Sequence, residues 1–246
     1  MMATRATERG AGELGRALDK VDWGEVEASL WARGYATTPA LLAPDECAVL
    51  ATLYADDRRF RSRVDMARYR FGEGEYKYFA EPLPALVAAL RARVYPRLAP
   101  IANGWMQALG ARERYPETLG RFLAVCRRNG QTKPTPLVLH YTAGGYNCLH
   151  QDVYGPVVFP LQMTVVLSRP GVDFTGGEFL LVEQRPRAQS RGEVVPLEQG
   201  EAVIFTTRFR PAAGARGHYR VAVRHGVSRL RSGERMSLGV IFHDAA

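Results

Sequence analysis

From residue 121 onward the chain breaks into short apolar runs separated by polar turns: RFLAVC, TPLVLHYT, LQMTVVLS, EFLLVEQ, GEVVPL, AVIFTT, YRVAVRHGV and RMSLGVIFH. Eight runs of strand length with turn residues between them predict an antiparallel double-stranded β-helix, or jelly roll, on a cupin-like plan. That architecture brings early and late strands to one mouth, so residues distant in sequence come to share a site. The expected class is α+β, with N-terminal helices backing the sheets. No internal repeat or low-complexity stretch is evident.

Side-chain chemistry concentrates where such a mouth would form. His150 and Asp152 sit two apart in LHQDV, and residues i and i+2 on a strand point to one face. A further histidine from a later strand, His225, completes a 2-His-1-carboxylate set, which leaves one face of an Fe(II) open. Ten residues after it comes Arg235, followed by Ser237 on the same side of its strand. A guanidinium and a hydroxyl pointing the same way can clamp a carboxylate, the guanidinium through two parallel hydrogen bonds. An HxD pair alone is a weak signal in a chain with five histidines. His218, in ARGHYRV, is the rival third ligand, because it too precedes a strand. His140 reads as structural and His243 as a surface or strand-edge residue. Cys148 shares strand parity with His150 and could line the pocket, although free cysteines more often behave as small buried hydrophobes.

The ordered set Tyr141, Gly144, HxD, TGGEF, His225 and RxS resembles the Fe(II)- and 2-oxoglutarate-dependent oxygenase superfamily over residues 121–243. HYTAGGYNCLHQD is similar to the family's first ligand motif, with Tyr141 nine residues before His150 reaching the cosubstrate. TGGEFLLV resembles the Gly-Gly strand that follows, and HGVSRLRSGERMS the closing motif. The resemblance implies Fe(II) held by His150, Asp152 and His225, and 2-oxoglutarate chelated through its keto acid end. Its distal carboxylate would lie on Arg235, Ser237 and Tyr141. O2 is the oxidant and ascorbate the expected reductant. Hydroxylation of an N-methyl group would release formaldehyde and the demethylated base. A binding barrel or a cupin metalloenzyme of another class would have no need of Arg235-x-Ser237.

Two substrate classes compete within the resemblance. HQD and Tyr141 resemble AlkB-type demethylases of alkylated nucleic acid, and the layout resembles a bacterial family associated with oxidative demethylation of damaged DNA. AlkB-type enzymes carry a second inward arginine in an RxNxTxR pattern, and here Ile241 falls at that place. Gly144-Gly145 and the spacing from His225 to Arg235 are closer to prolyl-hydroxylase-like members, which act on protein, peptide or small molecules. Damaged or single-stranded nucleic acid is the first expectation.

Composition adds modest support. The net charge of +8 is compatible with an anionic partner. Only Lys20, Lys77 and Lys133 are lysines, however, and an arginine-rich basic set can follow from genome composition. Cys47, Cys126 and Cys148 show no disulfide or metal spacing, which fits a reducing cytoplasm. MMATRATERGAGELGRALDK lacks the apolar core of a signal peptide, and no run is long enough to span a membrane.

The organisation predicted is a mobile stretch over 1–20, a helical support region over 21–120 and the catalytic core over 121–246. Asp22 caps a helix over WGEVEASLWAR that Gly34 ends. A short strand in YATTPALL and a helix over PDECAVLATLYADD, starting at Pro44, follow. A third helical region runs through LPALVAALRARVYPRLAPIANGWMQALG, with Pro96 and Pro100 expected to break or kink it. Residues 58–81 alternate basic and aromatic side chains, among them Arg68, Tyr69, Arg70, Tyr76 and Tyr78. Glycines 72 and 74 suggest a hairpin or flap over the mouth, with arginines for phosphate and rings for stacking.

Overall fold

The computed structural model describes residues 12–246. The expectation of mobility for residues 1–11 lies outside the described residues. Residues 12–19 are a helix, α1, whose Leu14 and Leu18 are buried, so that part of the stretch is packed rather than mobile. Helix α2 spans Trp23–Arg33; Asp22 accepts from the Glu25 N–H at 3.0 Å, and Gly34 ends the helix in the left-handed region. Helix α3, Pro44–Thr52, has Pro44 in its first turn, and the Glu46 carboxylate accepts from the Ala43 N–H at 2.9 Å.

Helix α4, Ala85–Ala108, runs unbroken through Pro96 and Pro100. The expected break does not occur because Val94, Tyr95, Leu98, Ile101, Ala102 and Trp105 are buried on both sides of the prolines. Burial of that many large side chains outweighs the ~3 kcal/mol that an interior proline costs. The run RFLAVC is a second correction. It lies in helix α5, Leu119–Arg128, not in a strand. Phe122 and Cys126, four apart, share its buried face, while Arg121, Arg127 and Arg128 take the others.

Among the described residues, fourteen strands form two antiparallel sheets. The larger takes β1 (Tyr35–Thr38), β11 (Ala202–Thr206), β7 (Leu161–Val166), β14 (Leu230–Ile241), β5 (Leu137–Thr142), β4 (Glu75–Phe79) and β2 (Phe60–Asp65) in that spatial order, with β8 (Phe174–Gly176) on β14. The smaller takes β10 (Arg191–Val195), β9 (Phe179–Gln184), β13 (Gly217–Val227), β6 (Tyr146–His150) and β3 (Gly72–Glu73), with β12 (Phe209–Gly214) on β13. This is the double-stranded β-helix that the strand pattern predicts.

The basic-aromatic segment is a hairpin built into the walls. Its strands β2 and β4 extend the larger sheet by pairing β4 with β5, whereas β3 pairs with β6 of the smaller sheet. One segment therefore joins both sheets at one open edge. Tyr54 donates to Glu75 at 2.6 Å, and Lys77 donates to Asp57 at 2.7 Å, fixing its base.

One apolar cluster fills the space between the helices and the larger sheet, including Leu30, Leu50, Tyr95, Trp105, Phe159 and Phe242. A second lies between the sheets, including Tyr141, Phe174, Phe179, Phe205 and Leu230. The last residues are tied into the first cluster. Arg91 of α4 donates to the carbonyls of Ile241 and Phe242, both at 2.9 Å, and to the Asp244 carboxylate at 2.7 Å. His243, expected at the surface, is fully buried there and accepts from the Phe159 N–H at 3.3 Å. Its burial follows from this tie, which turns the chain inward after β14, and pushes its imidazole down to about 4. No helix among the described residues is long and apolar enough to cross a membrane.

Candidate active site

Strand β13 carries His225 directly opposite His150 at the end of β6, and Asp152 lies just beyond. The Asp152 carboxylate is 3.1 Å from His225 Nε2 and 3.5 Å from His150 Nε2; one ligand atom from each residue falls within 4.8 Å of the others. Neighbouring ligands on an octahedral ion with bonds of ~2.1 Å lie ~3 Å apart, so the donor set fits a divalent metal. His150 Nδ1 faces the Cys148 carbonyl at 2.8 Å, which leaves Nε2 directed at the triad. Tyr154 donates to Asp152 Oδ1 at 2.6 Å.

The charge states of the three groups depend on one another. Burial works to raise the Asp152 carboxyl, but the facing imidazoles, His225 first, hold it well below the usual carboxylate range. Burial lowers His225, and the neighbouring His150 lowers it further. Burial also works against His150, yet the hydrogen bond and charge of Asp152 outweigh it and the net shift is upward.

The loop after β6 is fixed rather than loose. Gln131 accepts from the Val157 N–H at 2.7 Å and donates to the carbonyls of Val157 and Asp244, at 2.9 and 2.5 Å. Tyr115 donates to the Val158 carbonyl at 2.9 Å. These bonds fix the far end of the loop that carries Asp152.

A cavity of about 330 Å³ runs from the triad between the sheets. At one end is Arg235, 2% exposed, which donates from Nη1 to Ser237 at 3.1 Å. Its Nε has no partner, and among the described residues no carboxylate forms an ion pair with it. A guanidinium stays charged in a protein, and a buried, unpaired charge is costly. Its surroundings therefore suit an incoming anion. Gly176 and Gly177, both at positive φ, let β8 turn tightly beside it. A Cβ on Gly177 would meet Leu230 at 2.5 Å and the Arg235 stem at 3.1 Å. That is the physical demand behind the Gly-Gly pair.

Tyr141 faces Arg235 across the β5–β14 pair, with its ring 5.8 Å from the guanidinium carbon. Its hydroxyl accepts from Asn147 at 3.2 Å. Asn147 is a cavity residue that strand parity misses. The register between β13 and β6 shifts between His225 and Val227, and such a bulge re-aims the side chains beside it. Cys148 lines the cavity, as its shared parity with His150 allows, and is exposed there rather than buried as free cysteines usually are.

Of the residues read from the sequence as candidate substrate contacts, Arg70, Tyr76 and Tyr78 line the cavity. Arg68 and Tyr69 sit further out, on the hairpin tip. Tyr69 and Phe71 stack there with centroids 5.7 Å apart and are 52% and 47% exposed. His218 lies away from the triad, against Trp31 with ring centroids at 5.8 Å, and His140 faces Glu234. Gln162 and Thr164, on the inner face of β7, are further lining residues. Their signal was visible as two polar residues in LQMTVV.

A family model described as an oxygenase catalysing oxidative methylation of damaged DNA matches residues 74–245, a span that contains the triad, the clamp and part of the hairpin. The chain belongs to that oxygenase family. Two curated relatives from Mycobacterium tuberculosis, strains CDC 1551 and H37Rv, are each 52% identical over 168 residues, covering 68% of this chain and 72% of theirs. Both are described as uncharacterized proteins. Among solved structures, a Pseudomonas putida prolyl-4-hydroxylase is 16% identical with a TM-score of 0.52, covering 91% of this chain and all of that one. A 2-oxoglutarate-Fe(II) oxygenase-family oxidoreductase from Burkholderia pseudomallei is 16% identical with a TM-score of 0.53, covering 92% and 94%. At that identity the likeness is one of fold. The oxygenase is thus an enzyme, and its fold is the one shared by solved 2-oxoglutarate-Fe(II) oxygenases.

Proposed function

We propose that this oxygenase removes N-alkyl groups from damaged, single-stranded nucleic acid by hydroxylating them. His150, Asp152 and His225 hold Fe(II), and Arg235 with Ser237, assisted by Tyr141 and Asn147, holds the distal carboxylate of 2-oxoglutarate. When bound, the iron and its cosubstrate supply oxygen activation coupled to loss of CO2 and formation of succinate. The protein's own residues set the geometry. Arg235 anchors one end of the cosubstrate, Tyr154 steadies the Asp152 carboxylate, and the apolar walls at Leu137, Leu139 and Ile241 keep water away from the reacting centre.

The observation that carries the substrate reading is the rim. An exposed, stacked Tyr69–Phe71 pair stands beside Arg68 and Arg70 at the entrance to the cavity. Aromatic faces stack bases at ~1–3 kcal/mol each, and arginines meet the phosphates between them. Arg70 takes a left-handed backbone, φ +61°, which non-glycine residues seldom adopt and which recurs at functional sites. The description of the matched family, damaged DNA, supports the same reading.

The test is turnover of methylated single-stranded DNA and RNA beside a peptide pool, with Fe(II), 2-oxoglutarate and ascorbate. Formaldehyde released in step with succinate is the expected result. Stable hydroxylation of a peptide without formaldehyde would replace the nucleic-acid reading with a prolyl-hydroxylase-like one. Loss of both succinate formation and the anaerobic metal-to-cosubstrate charge-transfer band would end the proposed ligand assignment.

A further inference from the structure

The cavity continues past the triad in a direction the clamp does not use. Along β14, Arg235, Ser237, Gly239 and Ile241 all face inward. Six residues of strand separate Arg235 from Ile241, about 20 Å at ~3.3 Å per residue. A five-carbon diacid spans only about 5 Å between its terminal carbons. Even with ~6 Å for the Arg235 side chain and ~2 Å for a metal bond, a cosubstrate anchored on Arg235 and chelating at the triad would end short of the Ile241 row.

At that far end Gln162 of β7 faces Ile241 on one side and Phe205 on the other. Phe205 lies 4.7 Å from the His225 ring, so this row borders the triad. Gln162 is 2% exposed, lines the cavity, and its Nε2 has no hydrogen-bond partner. Its cross-strand neighbours, Ile241 and Phe205, are apolar, and Leu137 and Tyr78 line the same cavity. A leucine would suit such a wall better, since a buried amide with unmade hydrogen bonds is destabilising. Elsewhere the strand is consistent with its setting, with Leu161, Met163, Val165 and Val166 all buried.

We infer that the Gln162 carboxamide is a specificity-determining contact that hydrogen-bonds the polar edge of the substrate group held beyond the triad. A carboxamide offers one donor side and one acceptor side, exchanged by rotation about its last bond. It therefore matches a planar group that presents a donor beside an acceptor, as the edge of a nucleobase does. Ile241, its cross-strand neighbour, contributes no such group, which leaves Gln162 as the polar reader on this row. The inference rests on the nucleic-acid reading above, in which that edge belongs to an alkylated base turned into the cavity between aromatic walls.

The experiment compares the Fe(II)-loaded wild type with Gln162→Leu and Gln162→Glu. Each is assayed on single-stranded oligonucleotides carrying one N-methylated adenine or one N-methylated cytosine. Anaerobic titration with 2-oxoglutarate, followed by the charge-transfer band, and the thermal midpoint are read in parallel. The expected result is a loss in kcat/KM of roughly five- to hundredfold on the preferred base, with a smaller loss on the other, so that discrimination flattens. Half-saturation by 2-oxoglutarate and the fold stay unchanged in Gln162→Leu. Gln162→Glu, which keeps an acceptor at the same reach, retains more discrimination than Gln162→Leu. Equal discrimination in all three proteins overturns the inference while the nucleic-acid reading stands. A shift in 2-oxoglutarate affinity overturns it in favour of a cosubstrate contact. Absence of formaldehyde from the wild type on both oligonucleotides overturns the nucleic-acid reading and this inference with it.

Discussion

Two regions of this oxygenase bury the same three kinds of side chain. The C-terminal tie holds Arg91, His243 and Asp244; the cavity holds Arg235, His225 and Asp152. Both arginines are 2% exposed. Arg91 is taken up by its neighbours, with two carbonyls and a carboxylate meeting its donors. Arg235 meets one hydroxyl and then an opening. His243 takes a backbone N–H in an apolar nest, whereas His225 faces a carboxylate and a second imidazole. Burial alone does not separate structure from function here. For the arginines the pairing of polar atoms does: the donors of Arg91 are met by protein acceptors, whereas Arg235 Nε is not and can take a ligand.

The sharpest break between the regions should come from the histidines. His225→Ala should abolish iron binding measured by anaerobic titration, while His218→Ala leaves it intact; the reverse would move the third ligand to His218. Next come the arginines. Arg91→Leu strands the buried Asp244 and should cost about 3–5 kcal/mol in urea unfolding. Arg235→Leu should leave unfolding nearly unchanged and weaken 2-oxoglutarate binding by about ten- to hundredfold. A large stability loss in Arg235→Leu would erase the distinction drawn above.

Acid stability gives a third measure. His243 has its pKa lowered to about 4 in the folded protein, against ~6.5 unfolded. As pH falls the unfolded chain takes up the proton first, so stability is lost between pH ~6.5 and ~4 and the loss levels off below. The loss approaches about 3 kcal/mol, and His243→Gln, which can still accept from Phe159, should flatten it. The smallest effect belongs to the rim. Arg68→Ala with Arg70→Ala should reduce the salt dependence of single-stranded DNA binding, by a slope of about 0.7 for each phosphate no longer neutralised. An unchanged slope would remove those arginines from the interface.

Much of the cavity was legible because its residues obey strand alternation within regular β5 and β14, where Tyr141, Arg235 and Ser237 follow parity. Asn147 was not, because a register shift beside β6 sends side chains to faces that counting cannot give. RFLAVC misread as a strand because a run of mostly apolar residues fits either period, and only packing of Phe122 and Cys126 against the helices decides. Pro96 and Pro100 misled for a similar reason: tertiary burial overrode local preference. His243 could not be placed from sequence, since its burial depends on Arg91, more than a hundred residues earlier, drawing in the chain end.

The exposed edge of β6 leaves one more consequence, for anyone who wants to watch this enzyme at work. Cys47 and Cys126 are sealed in the core, the first with its thiol pushed up to about 12 by burial. Cys148 alone of the three stands open, two residues from His150 and on the cavity lining. The natural chain thus carries a single addressable handle at the threshold of its own chemistry. A spin label or fluorophore attached there would report arrivals without any cysteine having to be removed.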